Sequence, residues 1–137
     1  MEDIFNQPTE MVQIRDVSRQ QGEIQRAAQL LKAGELVAFP TETVYGIGAL
    51  GLNVEAVERL YAAKNRPVGK AFSLQVANVN MIQQIAAYVP LMARKLLEKF
   101  APGPITVVLP KAAQVPELVT GGRDTVGIRI PDNPVAL

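Results

Sequence analysis

Short apolar runs alternate with stretches of helical spacing along this chain, and that alternation restricts its fold more than any other feature. Leu36–Phe39, Phe72–Val76, Ile105–Leu109 and Thr125–Ile130 are each too short for a stable helix and suit a buried strand. Between them the period changes. Ser18 and Gln21 are spaced as a capping box, and Ile24, Ala27, Ala28 and Leu31 follow on one helical face before Gly34 supplies the stop. Asn53 is placed to cap a second helix with Val57, Leu60, Tyr61 and Lys64 along one side. Helical stretches follow over residues 79–87 and 91–100, the latter opened by Pro90, while Pro102-Gly103-Pro104 must turn. A further short strand is expected around Met11–Ile14, after a polar tail. Strands and helices in alternation predict a layered α/β architecture, not a helical bundle or a β-sandwich.

At 137 residues and 48% apolar content the chain has the size of a single domain, taken as 1–137 with residues 1–17 forming the tail and first strand. No apolar run approaches the roughly 20 residues that cross a bilayer, and Met1-Glu2-Asp3 lacks the basic start of a secretory signal. A soluble, cytoplasmic protein without membrane association is therefore expected. Cysteine and histidine are both absent, which excludes disulfides, thiolate zinc sites, histidine bases and cysteine nucleophiles. A catalytic metal has to be held by oxygen ligands or arrive with a substrate. The net charge of +1 conceals an asymmetry: residues 1–58 carry four basic and nine acidic side chains, residues 59–137 ten and four. Such a split fits either an anionic ligand or a solvated basic face.

Three segments can carry chemistry. Pro40-Thr41-Glu42-Thr43-Val44-Tyr45-Gly46-Ile47-Gly48 directly follows an apolar strand, where α/β proteins commonly place ligand loops. Its two hydroxyls and one carboxylate offer donors and acceptors to a small polar molecule, and its glycines permit close backbone approach, although the same residues also suit an ordinary turn. Gly46-x-Gly48 lacks the third glycine of a dinucleotide fingerprint. Lys64-Asn65-Arg66-Pro67, with Lys70 behind it, combines an ammonium and a guanidinium stiffened by proline. That set suits a polyphosphate held without a Walker loop, or a basic helix end facing its own dipole. In the last strand Thr125, Gly127 and Arg129 share one face, and Val126, Ile128 and Ile130 the other. Arg129 then needs an anionic partner, either an internal carboxylate such as Asp132 or a ligand.

Taken in order, Pro40-Thr41-Glu42-Thr43-Val44-Tyr45-Gly46, Ala63-Lys64-Asn65-Arg66-Pro67, Pro102-Gly103-Pro104-Ile105-Thr106 and Val126-Gly127-Ile128-Arg129-Ile130-Pro131-Asp132 closely resemble the YrdC-like threonylcarbamoyl-AMP synthases. The resemblance runs from about Gln20 to the last residue. It implies a YrdC/RibB-like layered fold, with a twisted mixed sheet and helices on both faces. It also implies a nucleotidyltransferase that joins L-threonine, bicarbonate and ATP into threonylcarbamoyl-AMP and pyrophosphate for tRNA threonylcarbamoyladenosine modification, with a separate threonylcarbamoyl-transfer complex downstream. Carried over residue by residue, Thr41 and Thr43 contact threonine, Tyr45 forms part of the pocket wall, and Arg129 helps hold the carboxylate or the carbamate. Lys64 and Arg66, beside Pro67, grip the ATP phosphates and act in catalysis, with Mg2+ carried in on ATP. Chemistry of this kind needs no protein nucleophile and no strong base. Positioning and charge neutralisation carry it, which suits a chain without histidine or cysteine.

Two departures from the family pattern bear on these expectations. The Ser-Ala-Asn motif, expected beyond the helix-start signal Asp132-Asn133-Pro134, has no counterpart before Leu137, so the domain is read as lacking its last elements. A sheet edge left bare in that way predicts self-association, for example into a homo-oligomer, or poor solubility. Gln75 stands where many members have histidine. The competing expectation is a module that binds double-stranded RNA or tRNA, or a non-catalytic partner subunit of the same fold. Seven aromatics and a net charge of +1 supply little of the stacking surface and dense positive charge that RNA binding uses.

Overall fold

The computed structural model describes residues 8–137, so the first part of the expected tail lies outside the described residues. The strand expected at Met11–Ile14 does not form. The Gln20 side chain donates to the Gln13 carbonyl at 2.9 Å, and Arg26 pairs with Glu10 at 2.7 Å. This segment is thus tied by side chains to the following helix instead of by a ladder to a neighbouring strand, and Met11 remains 92% exposed.

Helix α1 (Gln21–Lys32) is approached through a turn capped by Asp16, not by the expected Ser18. Asp16 Oδ1 accepts from the Ser18 hydroxyl at 2.6 Å and from the Ser18 and Arg19 N–H groups at 3.0 and 3.2 Å. Ser18 is drawn away from the role assigned to it, and the Gln21 side chain donates to the Val17 carbonyl instead. The bonds from the Ser18 hydroxyl and the Arg19 N–H hold the Asp16 carboxyl below the ordinary range, outweighing the opposing effect of partial desolvation.

Strands β1 (Val37–Phe39) and β2 (Gly46–Gly48) form an antiparallel hairpin in which Val37 faces Gly48 and Phe39 faces Gly46. The second strand is absent from the sequence expectation because two glycines in three residues argue against a strand. Packing supplies the reason they are tolerated. A Cβ placed on Gly48 would come within 2.8 Å of the Phe39 ring, so the glycine leaves the space that the aromatic ring fills.

Helix α2 (Val54–Ala63) begins as expected, with Asn53 Oδ1 accepting from the Ala56 N–H at 3.2 Å, and it buries Val57, Leu60 and Tyr61. Strand β3 (Ser73–Gln75) leads to α3 (Val79–Ile85), capped by Asn78, and α4 (Leu91–Phe100) starts immediately after Pro90. Strands β4 (Val107–Pro110) and β5 (Thr125–Arg129) flank a four-residue helix, α5 (Glu117–Thr120), which is too short to show a period in the sequence. Gly121 closes α5 in the left-handed conformation, with φ of 62°. At the last residues described, Asn133 Oδ1 accepts from the Val135 N–H at 2.9 Å, so the expected cap does open a helical turn.

Strands β3, β5 and β4 make a mixed sheet in that spatial order, parallel across β3–β5 and antiparallel across β5–β4. The α/β class and the mixed sheet agree with the sequence. One face of the sheet, carrying Val107, Leu109, Val126 and Ile128, packs against Val57, Tyr61, Ile82, Ile85, Leu97 and Val119 from the helices. Ile82 and Ile128 are completely buried, each contributing about 1.5–3 kcal/mol of transfer free energy. The opposite face presents Ser73, Gln75, Val108, Gly127 and Arg129. Among the described residues no helix is long and apolar enough to cross a membrane.

Candidate functional site

Arg129 occupies the last position of β5, opposite Gln75 at the end of the parallel strand β3. The loop 40–45 between β1 and β2 reaches this point. Arg129 Nη2 donates to Glu42 Oε1 and, at 3.2 Å, to Thr43 Oγ1. The other carboxylate oxygen of Glu42 accepts from the Asp132 backbone N–H at 2.8 Å. The internal carboxylate that answers Arg129 is therefore Glu42, and Asp132 contributes its N–H instead of its side chain. Sequence reasoning counted the Glu42 carboxylate among the loop's acceptors but did not pair it with Arg129, because 87 residues separate them and no local pattern links them.

The pair is sheltered but not sealed, with side chains 18% and 19% exposed. Desolvation acts to raise the Glu42 carboxyl. The hydrogen bonds from Arg129, from its own N–H and from Asp132, together with the Arg129 charge, overcome that effect and hold it below the ordinary glutamate range. On the guanidinium, Nε is buried without a hydrogen-bond partner, and Nη1 has no hydrogen bond among the described residues.

Thr41 and Thr43 play different parts. The Thr41 hydroxyl donates to the Val44 carbonyl at 2.6 Å and accepts from the Thr43 and Val44 N–H groups at 3.3 and 3.2 Å, so it closes the turn itself. Thr43, 3.0 Å from it, extends the network to Arg129. Tyr45 lies at the loop's exposed end, 80% accessible.

Lys64 and Arg66 form a second group. Lys64 is the residue just past the end of α2, and Asn65 adopts a left-handed conformation with φ of 46° that turns the chain back. Arg66 Nε donates to the Lys70 carbonyl at 2.9 Å, and Nη2 donates to the Ala71 carbonyl at 2.6 Å. Its guanidinium lies 4.6 Å from the centroid of the Phe72 ring, which also packs 4.6 Å from the Tyr61 ring. The exposed Pro67 begins the turn that Lys70 N–H closes at 3.2 Å. Arg66 thus braces the 66–71 loop. The Lys64 ammonium, 5.7 Å from the Phe72 centroid, has no hydrogen bond or ion pair among the described residues.

Phe72 packs against the core beside Leu74, whereas Gln75 and Arg129 lie on the opposite face of the sheet, and the backbone from Phe72 to Gln75 spans roughly 10 Å. The structure brings Thr41, Glu42, Thr43 and Arg129 together and keeps Lys64 and Arg66 as a separate cluster. Two surface hollows lie elsewhere, one between α3 and α4 beside Val79, Gln83 and Leu97, the other beside Phe100, Pro104 and Ile105. Among the described residues no three acidic side chains gather to hold a metal ion.

Comparison with known proteins gives this arrangement a context. The model of the Sua5/YciO/YrdC family, described as telomere recombination, matches residues 29–137. A threonylcarbamoyl-AMP synthase of Pyrococcus abyssi is 45% identical over 114 residues, which are 83% of this chain and 34% of that protein. A threonylcarbamoyl-AMP synthase of Bacillus subtilis is 41% identical over 123 residues, 89% of this chain and 36% of the relative. The chain thus spans about a third of the length of these two relatives. The crystal structure of P. abyssi Sua5 complexed with L-threonine superposes with a TM-score of 0.84 at 43% identity, covering 86% of this chain and 35% of that one. With the family model matching most of the sequence and the same fold recurring in a solved relative, the chain belongs to the Sua5/YciO/YrdC family.

Proposed function

We propose that this chain supplies the amino-acid and nucleotide-binding face of a threonylcarbamoyl-AMP synthase, a transferase serving tRNA modification. The observation that carries the reading is Arg129. It is oriented by Glu42 and Thr43 at the end of β5 and leaves an unpaired Nη1 edge for a carboxylate or carbamate. Support comes from relatives at 41–45% identity that bear that name and from a like-folded relative complexed with L-threonine.

In this reading the threonine amine takes up the carbon of bicarbonate with loss of water. A carbamate oxygen then attacks the α-phosphorus of ATP, the bond to the bridging oxygen breaks, and pyrophosphate leaves with the electron pair. Nothing in that sequence needs a histidine or a cysteine. Arg129 and Thr43 orient the amino acid, with Thr41 setting the shape of their loop. Lys64, the unpaired cation of the second group, offers charge to the phosphates, and Arg66 and Pro67 shape the loop beside it. Among the described residues no acidic cluster would hold a metal ion, so Mg2+ would arrive bound to the ATP phosphates and neutralise charge there. Transfer of the threonylcarbamoyl group to tRNA is left to a separate complex.

The test is exchange of labelled pyrophosphate into ATP, run with and without L-threonine and bicarbonate. Exchange that requires both co-substrates supports the synthase reading. Its absence, together with tight binding of double-stranded RNA, would transfer the assignment to an RNA-binding module.

A further inference from the structure

Glu42 is the carboxylate that ties the β1–β2 hairpin loop both to the Arg129 side chain and to the backbone just beyond β5. Its two oxygens serve two donors from different places: Oε1 takes the Arg129 guanidinium and Oε2 the Asp132 N–H. A carboxylate can do this because both oxygens accept; an amide of the same size has one acceptor and a donor that would face one of those N–H groups. Among the described residues the other side-chain bond from the loop to β5 is the one Thr43 Oγ1 accepts from Arg129 at 3.2 Å. Thr41 bonds only within the turn, and Val44 and Tyr45 are 73% and 80% exposed.

We infer that Glu42 is a positioning residue, which locks Arg129 with its Nη1 edge outward and fastens the hairpin loop over the end of the sheet before any ligand arrives. The guanidinium has two competing ways to satisfy its charge, Glu42 or a ligand carboxylate. With Nη2 held by Glu42 and Thr43, only the Nη1 edge is left to meet a ligand, so the incoming carboxylate finds an oriented donor at low entropic cost. Ion pairing with Glu42 also cancels most of the Arg129 charge before a ligand carboxylate arrives. The site should therefore select a ligand by geometry more than by net charge, favouring a small carboxylate over a multiply charged anion such as pyrophosphate.

This inference rests on the reading of Arg129 as a carboxylate-binding group, and the experiment separates the two. L-threonine binding is measured by calorimetry for the wild type, Glu42→Gln, Arg129→Ala and the double variant, and amide exchange at Thr43, Val44 and Asp132 is measured without ligand. Glu42→Gln should weaken threonine binding about tenfold in the wild-type background and less than twofold once Arg129 is alanine, as expected of a residue acting through another. It should also speed exchange at the Asp132 amide at least tenfold. Equal weakening in both backgrounds, or unchanged exchange at Asp132, overturns the inference. If the wild type binds no threonine, the proposed substrate is wrong, and the exchange measurement alone then decides whether Glu42 fastens the loop.

Discussion

Replacing Arg66 and Lys64 one at a time should separate two residues that the sequence treats as a pair. Arg66 makes two side-chain hydrogen bonds to the Lys70 and Ala71 carbonyls and lies against Phe72. Because these carbonyls are partly accessible and can rehydrate, each bond is worth about 0.5–1 kcal/mol, and the stacked guanidinium adds about 0.5–1 kcal/mol. Arg66→Ala should therefore destabilise the protein by about 2 kcal/mol. With a urea dependence near 2 kcal/mol per molar, the unfolding midpoint should fall by about 1 M. Arg66→Lys keeps the charge but loses the fork, and should recover about half of the loss. Lys64→Ala removes only a distant ring contact and should stay within about 0.5 kcal/mol of wild type. Equilibrium urea unfolding followed by circular dichroism reads all three. The argument fails if Arg66→Ala leaves the midpoint in place, or if Lys64→Ala lowers it as much.

Gly127→Ala should lose about 1–3 kcal/mol in the same assay, because the new methyl would lie 2.9 Å from Ser73 Oγ and 3.1 Å from Thr106 Cγ2 across the sheet. Ile82→Ala, at a fully buried position, should cost about 2–5 kcal/mol, and thermal melting would show it. Glu42 makes stability depend on acid: its folded-state carboxyl titrates below the ordinary value of about 4.3, so its contribution is complete above that value and is lost as pH falls through the lower folded one. The groups facing it are Arg129, which stays charged, the Asp132 N–H and its own backbone N–H. Unfolding measured between pH 6 and pH 3 should show that component in the wild type and not in Glu42→Gln.

Local signals were legible in the sequence wherever they act within a few residues. The Asn53 cap, the helix opened by Pro90, the strand runs read at residues 72–76, 105–109 and 125–130, which form strands over 73–75, 107–110 and 125–129, and the buried face Val57, Leu60 and Tyr61 all follow from side-chain chemistry or period read in a short window. The same local logic misassigned Ser18, because Asp16 offers two acceptor oxygens to the same turn and prevails. It also proposed a strand at Met11–Ile14, where no strand forms and no ladder partner stands among the described residues.

The amino-acid order alone determined the α/β class, the family motifs and the absence of histidine and cysteine chemistry. Only the tertiary structure decided that Gly46-Ile47-Gly48 is a strand, since its stability comes from Phe39 filling the glycine gaps across the hairpin. Only it decided that Arg66 serves its own loop while Lys64 stays free, and that Arg129 answers to Glu42. The physical reason is the same in each case. Periodicity and capping are properties of neighbours in sequence, whereas the partner of a charge is set by which distant segments the packed core brings within hydrogen-bonding distance.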